Sequence, residues 1–191
     1  MTKTALTIAG SDPSGGAGIQ ADLKVFTLYG VYGLAVPAAL TAQNTVAAFA
    51  VKAVPPDFIR AQLEAVFADI EIGAVKTGML LTADAVDVVA DVMAKYGAAN
   101  LVIDPVTISS SGKRLLKKDA ADALATQLFP LATVVTPNRD EAEYYSGIKI
   151  ESRRDAEKAA RIIKKMGPAN IIIKGGHMPG DATDLLFDGR E

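Results

Sequence analysis

Polar and charged residues cluster directly after short apolar runs in this sequence. The run at residues 5–9 is followed by Gly10-Ser11-Asp12-Pro13-Ser14-Gly15-Gly16-Ala17-Gly18 and then by a helix-like segment carrying Gln20, Asp22 and Lys24. Ala74-Val75 leads into Lys76-Thr77-Gly78-Met79, and Leu101-Val102-Ile103 leads into Asp104-Pro105. Val134-Val135 leads into Thr136-Pro137-Asn138-Arg139-Asp140-Glu141, and Ile171-Ile172-Ile173 leads into Lys174-Gly175-Gly176-His177. Lys76 and Lys174 supply cations, Asp104 and Glu141 supply anions, and the glycine-rich loop opening a helix at 15–18 offers backbone N–H donors to an anion. Cations with backbone donors suit phosphate, and carboxylates beside phosphates suit Mg²⁺. Phosphoryl transfer, which needs mainly positioning and charge neutralisation, is the chemistry this inventory fits best.

Individual signals carry different weight. The glycine pattern is neither the P-loop nor the dinucleotide fingerprint. Ser111-Gly112-Lys113-Arg114 resembles the end of a P-loop, but Arg114 stands where Ser or Thr is needed, and a surface loop explains the segment equally well. If Thr136 caps a helix with Pro137 in its first turn, Asn138 and Glu141 share one face near its start. Favourable charges at a helix start would account for the same spacing. An acid such as Asp104 at the end of an apolar strand is costly unless paired or solvated in a site, although capping a neighbouring helix would also satisfy it. His177, the only histidine, reads as a residue that orders its glycine-rich loop rather than as a base. Met79 and Val106 read as core or pocket wall.

The elements that must hold these groups alternate in kind. Apolar runs at 5–9, 73–76, 100–103, 132–136 and 170–173 have strand length, and residues 57–70 and 83–95 repeat apolar positions at helical spacing. Ser152 and Asp155 resemble a capping box opening a helix over 153–166. Apolar strands alternating with helices predict a mostly parallel sheet, buried on both faces and covered by helices on both sides. In such sheets ligands bind beyond the carboxyl ends of the strands, where the polar segments above converge. Residues 31–52 differ, reading as two strands joined by a polar turn at Gln43-Asn44.

Composition narrows the classes further. Of 191 residues, half are hydrophobic and 22% are charged, with a net charge of −2 spread along the chain. That is globular composition without a basic stripe, so nucleic acid is not an expected partner. The sequence contains no cysteine, which excludes disulfides, iron–sulfur clusters and a thiol nucleophile within these residues. No apolar run approaches the roughly 18 residues of a membrane span. The N-terminal apolar stretch is too short for a signal peptide, and a cytoplasmic protein with no membrane partner is expected.

The segment from Ala9 to Lys24 closely resembles the N-terminal signature of bacterial hydroxymethylpyrimidine/phosphomethylpyrimidine kinases, thiamine-synthesis enzymes of the ribokinase superfamily. Further matches follow in order at Thr41-Ala42-Gln43-Asn44-Thr45, Lys76-Thr77-Gly78-Met79-Leu80, Asp104-Pro105-Val106, Thr136-Pro137-Asn138 with Glu141, and Lys174-Gly175-Gly176-His177. The resemblance spans residues 1–191 as a single ribokinase-like domain and implies a three-layer α/β/α fold around a mostly parallel sheet. It implies ATP-dependent phosphorylation of 4-amino-5-hydroxymethyl-2-methylpyrimidine, then of the monophosphate to the diphosphate. By motif match, Asp22, Gln43, Met79 and Val106 line the pyrimidine pocket. Asp104, Asn138 and Glu141 organise Mg²⁺ and the nucleotide phosphates, with Asp104 and Glu141 toward the metal, and Lys174 contacts ATP. A homodimer is expected.

The family also carries a later Gly-Thr-Gly-Cys-like motif that supplies an anion hole and a base. Residues 1–191 end after the strand-like Asp184-Leu185-Leu186-Phe187-Asp188 without it. The resemblance therefore places the base and anion hole beyond Glu191, and implies a domain lacking its C-terminal part with little kinase activity of its own. Two alternatives accompany this reading: a pyridoxal or pyridoxine kinase of the same superfamily, ranked second because Gln43-Asn44-Thr45 resembles the pyrimidine kinases more, and a truncated fragment that binds the pyrimidine without transfer.

Overall fold

The computed structural model describes residues 2–107, 118–177 and 183–190, and of His177 only the backbone. The segment Ser111–Arg114 and the side chain of His177 therefore lie outside the described part.

The chain begins with β1 (Thr4–Gly10) and α1 (Gly18–Leu28), followed by the long β2 (Tyr32–Gln43) and β3 (Ala48–Ala53). Next come α2 (Pro56–Asp69), β4 (Ala74–Thr77), α3 (Ala83–Tyr96) and β5 (Leu101–Ile103). A helical stretch then runs from α4 (Lys118–Ala123) through a π turn at Leu124–Leu128 into a 3₁₀ turn at Phe129–Leu131. The chain continues with β6 (Val134–Val135), α5 (Arg139–Ser146), α6 (Arg153–Lys164), β7 (Asn170–Ile173) and β8 (Leu185–Phe187). Local chemistry explains the boundaries. The Thr82 hydroxyl accepts the Ala85 N–H to start α3, and Gly97 ends it in the left-handed conformation, where glycine is favoured. Ser152 starts α6 by accepting from Asp155 N–H. That helix ends at Lys164, two residues short of the sequence expectation.

The eight strands among the described residues form one sheet in the order β3-β2-β1-β4-β5-β6-β7-β8. The pairs from β2 through β7 are parallel, and the outer pairs β2–β3 and β7–β8 are antiparallel. The α/β reading with a mostly parallel sheet is therefore correct, and residues 31–52 form the expected two strands, with β2 running on through Pro37 to Gln43. Burial departs from expectation. β4 and β7 alternate half-buried and buried positions instead of being buried throughout. Thr7, Lys76, Val102 and Val134 are aligned by register across β1, β4, β5 and β6 and share a face. On that face α1 meets the sheet through charged groups. The continuous core instead gathers Leu6, Ile8, Leu63, Val86, Ile103, Phe129, Ile163 and Ile171, all fully enclosed. Burying such side chains contributes roughly 1.5–3 kcal/mol each.

Candidate active site

Just past the carboxyl ends of the strands, lateral backbone hydrogen bonds tie the polar segments together. Ser11 N–H donates to Ala39 O, Gly78 N–H to Ile8 O, Asp104 N–H to Thr77 O, Thr136 N–H to Ile103 O and Lys174 N–H to Pro137 O. The segments separated in sequence thus occupy one edge of the sheet; one ion-paired cluster stands there, and another lies beneath α1 on the adjoining face of β1 and β4.

The first cluster joins α1 to β1 and β4. Lys76 donates to both carboxylate oxygens of Asp22, at 3.0 and 2.8 Å, and the Thr7 hydroxyl donates to Oδ2 at 2.6 Å. The pair is largely enclosed, with 25% of the Lys76 side chain and 18% of the Asp22 side chain exposed. A Cβ on Gly78 would come within 3.3 Å of Lys76 Nζ, so the missing side chain gives the ammonium room beside the strand end. Met79 follows, half-buried, with its terminal methyl so close to Gly10 that a Cβ there would lie 2.6 Å from it. Gln43 ends β2, half-buried.

The glycine-rich loop above this cluster is built around Asp12, which is 3% exposed. Its carboxylate accepts from the Ser14 N–H and hydroxyl and from the N–H groups of Gly16 and Ala17. The Ser14 hydroxyl, with these backbone donors, holds the Asp12 carboxyl below its usual range against the opposing effect of burial. Gln20 Oε1 accepts the Asp12 N–H. The loop is also clamped to β2: Thr41 donates its hydroxyl to Ser11 O and its N–H to Ser11 Oγ. Gly18 opens α1 at a φ of +60°, and a Cβ there would sit 2.3 Å from Gly10 O, so only glycine allows this return of the chain.

The second cluster joins β5, β7 and α5. Lys174 donates to Asp104 Oδ1 at 2.7 Å. Glu141 is 2% exposed and accepts from Asn138 N–H and Thr107 N–H, one on each oxygen. Asn138 Oδ1 accepts the Glu141 N–H, completing a capping box. Asn138 is therefore the cap itself, and α5 starts at Arg139. Thr136, expected to be the cap, instead directs its hydroxyl toward Ile103 O. Burial pushes Glu141 up to about 7, although the Asn138 N–H, Lys174 and the Thr107 N–H oppose the rise; Asp104 adds to it. Val106 is half-buried beside this cluster, and the Thr107 hydroxyl is buried without a partner among the described residues.

Asp104 and Lys174 thus pair just past the strand ends, Asp22 and Lys76 pair where α1 meets the sheet face near the end of β4, and Asn138 and Glu141 lock to each other. The role of Asp12 was missed, although an Asp followed by Ser-Gly-Gly is a recognisable loop-closing signal. The Thr7 partnership had no sequence signal, because it depends on the register of β1 with β4. Among the described residues no group of three or more His, Cys, Asp or Glu forms a metal site.

Comparisons with known proteins bear on the family and the fold. The phosphomethylpyrimidine kinase family model matches residues 12–191. A hydroxymethylpyrimidine/phosphomethylpyrimidine kinase from Rhizobium meliloti is 46% identical over 191 residues, covering 99% of this chain and 71% of the relative. The chain belongs to the phosphomethylpyrimidine kinase family. A crystal structure of a phosphomethylpyrimidine kinase from Clostridium difficile shares 46% identity with it at a TM-score of 0.94, covering 100% of this chain and 82% of that one. The pyridoxal kinase from Staphylococcus aureus, solved with AMP-PCP and pyridoxal, lies lower at 39% identity and a TM-score of 0.88, covering 100% and 69%. A longer bifunctional thiamine biosynthesis protein from Geobacter sulfurreducens is 47% identical over 185 residues; they cover 96% of this chain and 38% of that protein. The fold is that of the phosphomethylpyrimidine kinases.

Proposed function

We propose that these residues form the pyrimidine and nucleotide sites of a hydroxymethylpyrimidine/phosphomethylpyrimidine kinase in thiamine biosynthesis. The reaction transfers the γ-phosphoryl of ATP to the hydroxymethyl oxygen of 4-amino-5-hydroxymethyl-2-methylpyrimidine, releasing ADP and the hydroxyl proton. A second transfer converts the monophosphate to the diphosphate. The observation that carries this reading is the Lys174–Asp104 pair past the strand ends together with the Lys76–Asp22 pair between α1 and the sheet. Asp22, with Gln43, Met79 and Val106, holds the pyrimidine; the Gln43 amide both donates and accepts, which suits a heteroaromatic edge. Lys174 turns from Asp104 toward nucleotide phosphate, and Asn138 fixes Glu141. Mg²⁺ fits Asp104 and Glu141, since it is commonly held by one or two carboxylates together with substrate phosphates and water. Both Glu141 oxygens already accept backbone N–H groups, which favours contact through water. Bound Mg²⁺ would supply charge neutralisation on the phosphates. A homodimer in the cytoplasm belongs to the same reading, testable by sedimentation and fractionation; no described helix is long and apolar enough to cross a membrane.

Calorimetric titration with the pyrimidine and with Mg·ATP tests the assignment. Asp22→Ala is expected to weaken pyrimidine binding by about 1.5–3 kcal/mol, the worth of a charged hydrogen bond, with ATP binding little changed. Asp104→Asn is expected to blunt the Mg²⁺ dependence of ATP binding while the pyrimidine still binds. Equal losses for both ligands in either variant would count against the division into two sites. Pyridoxal is a second reading because the pyridoxal kinase fold superposes on this chain; a larger turnover with pyridoxal than with the pyrimidine would favour it.

A further inference from the structure

Asp22 is not a free carboxylate waiting for a ligand. A carboxylate offers about four acceptor positions. Here Oδ2 accepts from both Thr7 and Lys76, and Oδ1 accepts from Lys76. Among the described residues one acceptor position remains, on Oδ1. The charge is also balanced: the Lys76 ammonium lies within 3.0 Å of both oxygens, inside a site where the two side chains are mostly out of water. A carboxylate with two open oxygens attracts cations carrying parallel N–H groups, as guanidinium and amidinium groups do. This one offers a single acceptor in a net-neutral pair.

We propose that Lys76 is a positioning residue that sets ligand choice through Asp22, so that the site takes a neutral heteroaromatic ring offering one hydrogen-bond donor and rejects a cationic ring of the same shape. The inference rests on the assignment of Asp22 to the pyrimidine pocket. Three features of the fold support it. Thr7 and Lys76 are register partners on adjacent strands, so their donors reach α1 from a rigid surface. Gly78 leaves space for the ammonium where any Cβ would crowd it. Thr7 is fully buried, and its hydroxyl fixes the orientation of Oδ2, leaving the open position on Oδ1 as the one a ligand meets.

The test measures binding of two probes at neutral pH: 4-amino-5-hydroxymethyl-2-methylpyrimidine, which is neutral there, and its ring-N-methylated cation. Wild-type protein is expected to prefer the neutral probe. Lys76→Met removes the balancing charge and reopens both oxygens. It is expected to shift the neutral-to-cation ratio toward the cation by at least about tenfold, the size of one modest charge interaction in an enclosed site, with the cation gaining affinity in absolute terms. Loss of packing or folding would weaken both probes and does not produce a gain. Lys76→Arg, which keeps the charge, should retain the neutral preference. In an Asp22→Asn background, Lys76→Met should leave the ratio unchanged, because Lys76 acts through Asp22. A ratio unmoved by Lys76→Met in protein that binds the neutral probe would overturn the role of Lys76 alone. Failure of wild-type protein to bind either probe would overturn the pocket assignment and this inference with it.

Discussion

Glu141 shows how one side chain can be held by several partners and still resist its charge. Its two backbone donors and nearby Lys174 favour the anion, but enclosure outweighs them and carries the group from 4.5 up to about 7. For an acid, a raised native value means that the folded protein holds the proton more tightly than the unfolded chain. Between pH 4.5 and about 7 the native state therefore binds more protons, and this group makes stability fall as pH rises through that window. The cost above pH 7 is on the order of 3 kcal/mol. Urea unfolding of wild type and Glu141→Gln at pH 5 and pH 7.5 is expected to show a smaller difference between the two pH values in the variant. An equal or larger difference would show that enclosure does not govern this carboxyl. Of the residues involved, Asn138 and Glu141 were legible as neighbours near a helix start from their spacing, but the cap was read as Thr136 instead of Asn138. The tie of Glu141 to Thr107 was not legible, because that donor approaches from the loop after β5, 34 positions away. Lys76 was visible as a cation, but its service to Asp22 depends on a contact across 54 positions.

At the scale of elements, the loop from Gly10 to Gly18 and the helix that follows it depend on a close approach between two parts of the same backbone. Gly18 and Gly97 both have left-handed φ values, +60° and +57°, but they differ in surroundings. A Cβ at Gly97 meets nothing within 4 Å, whereas at Gly18 it would collide with Gly10 O. Gly97→Ala is expected to cost about 1 kcal/mol for conformation alone. Gly18→Ala should cost more in the same urea experiment and should also weaken pyrimidine binding, since the displaced strand end carries Ser11 and, through its clamp, Thr41. Equal costs at the two positions would mean that the loop yields without strain. Helices α2, α3 and α6 were legible from apolar spacing and capping residues. The short β6 was placed correctly but drawn too long, because only Val134 and Val135 pair, while the flanking residues turn toward helices. The helical stretch from Lys118 to Leu131, with its π turn at Leu124–Leu128, was not read from the sequence.

The whole molecule is organised by a strand order that places β1 inside the sheet and adds β4, β5, β6, β7 and β8 successively to one side of it, with β2 and β3 on the other. The parallel character was legible from apolar runs alternating with helices, and the site edge followed from the rule that ligands sit beyond the strand ends. The order of the strands was not legible from periodicity, because every apolar run looks equally suited to a neighbour of any number. That order also has a consequence in time. Each strand after β1 pairs with one that precedes it in the chain, so during synthesis only β1 must wait for a later strand to find a partner. The sheet can grow outward from β1 as the ribosome releases it, and both antiparallel strands close an edge after the strand they cover is already made. Parallel pairing over long sequence separations is intrinsically slow, and sequential growth shortens the search at each step. Pulse-labelled hydrogen exchange during refolding should then show amides of β1 and β4 protected before those of β7 and β8. Simultaneous protection across the sheet would indicate a single concerted closure instead of outward growth.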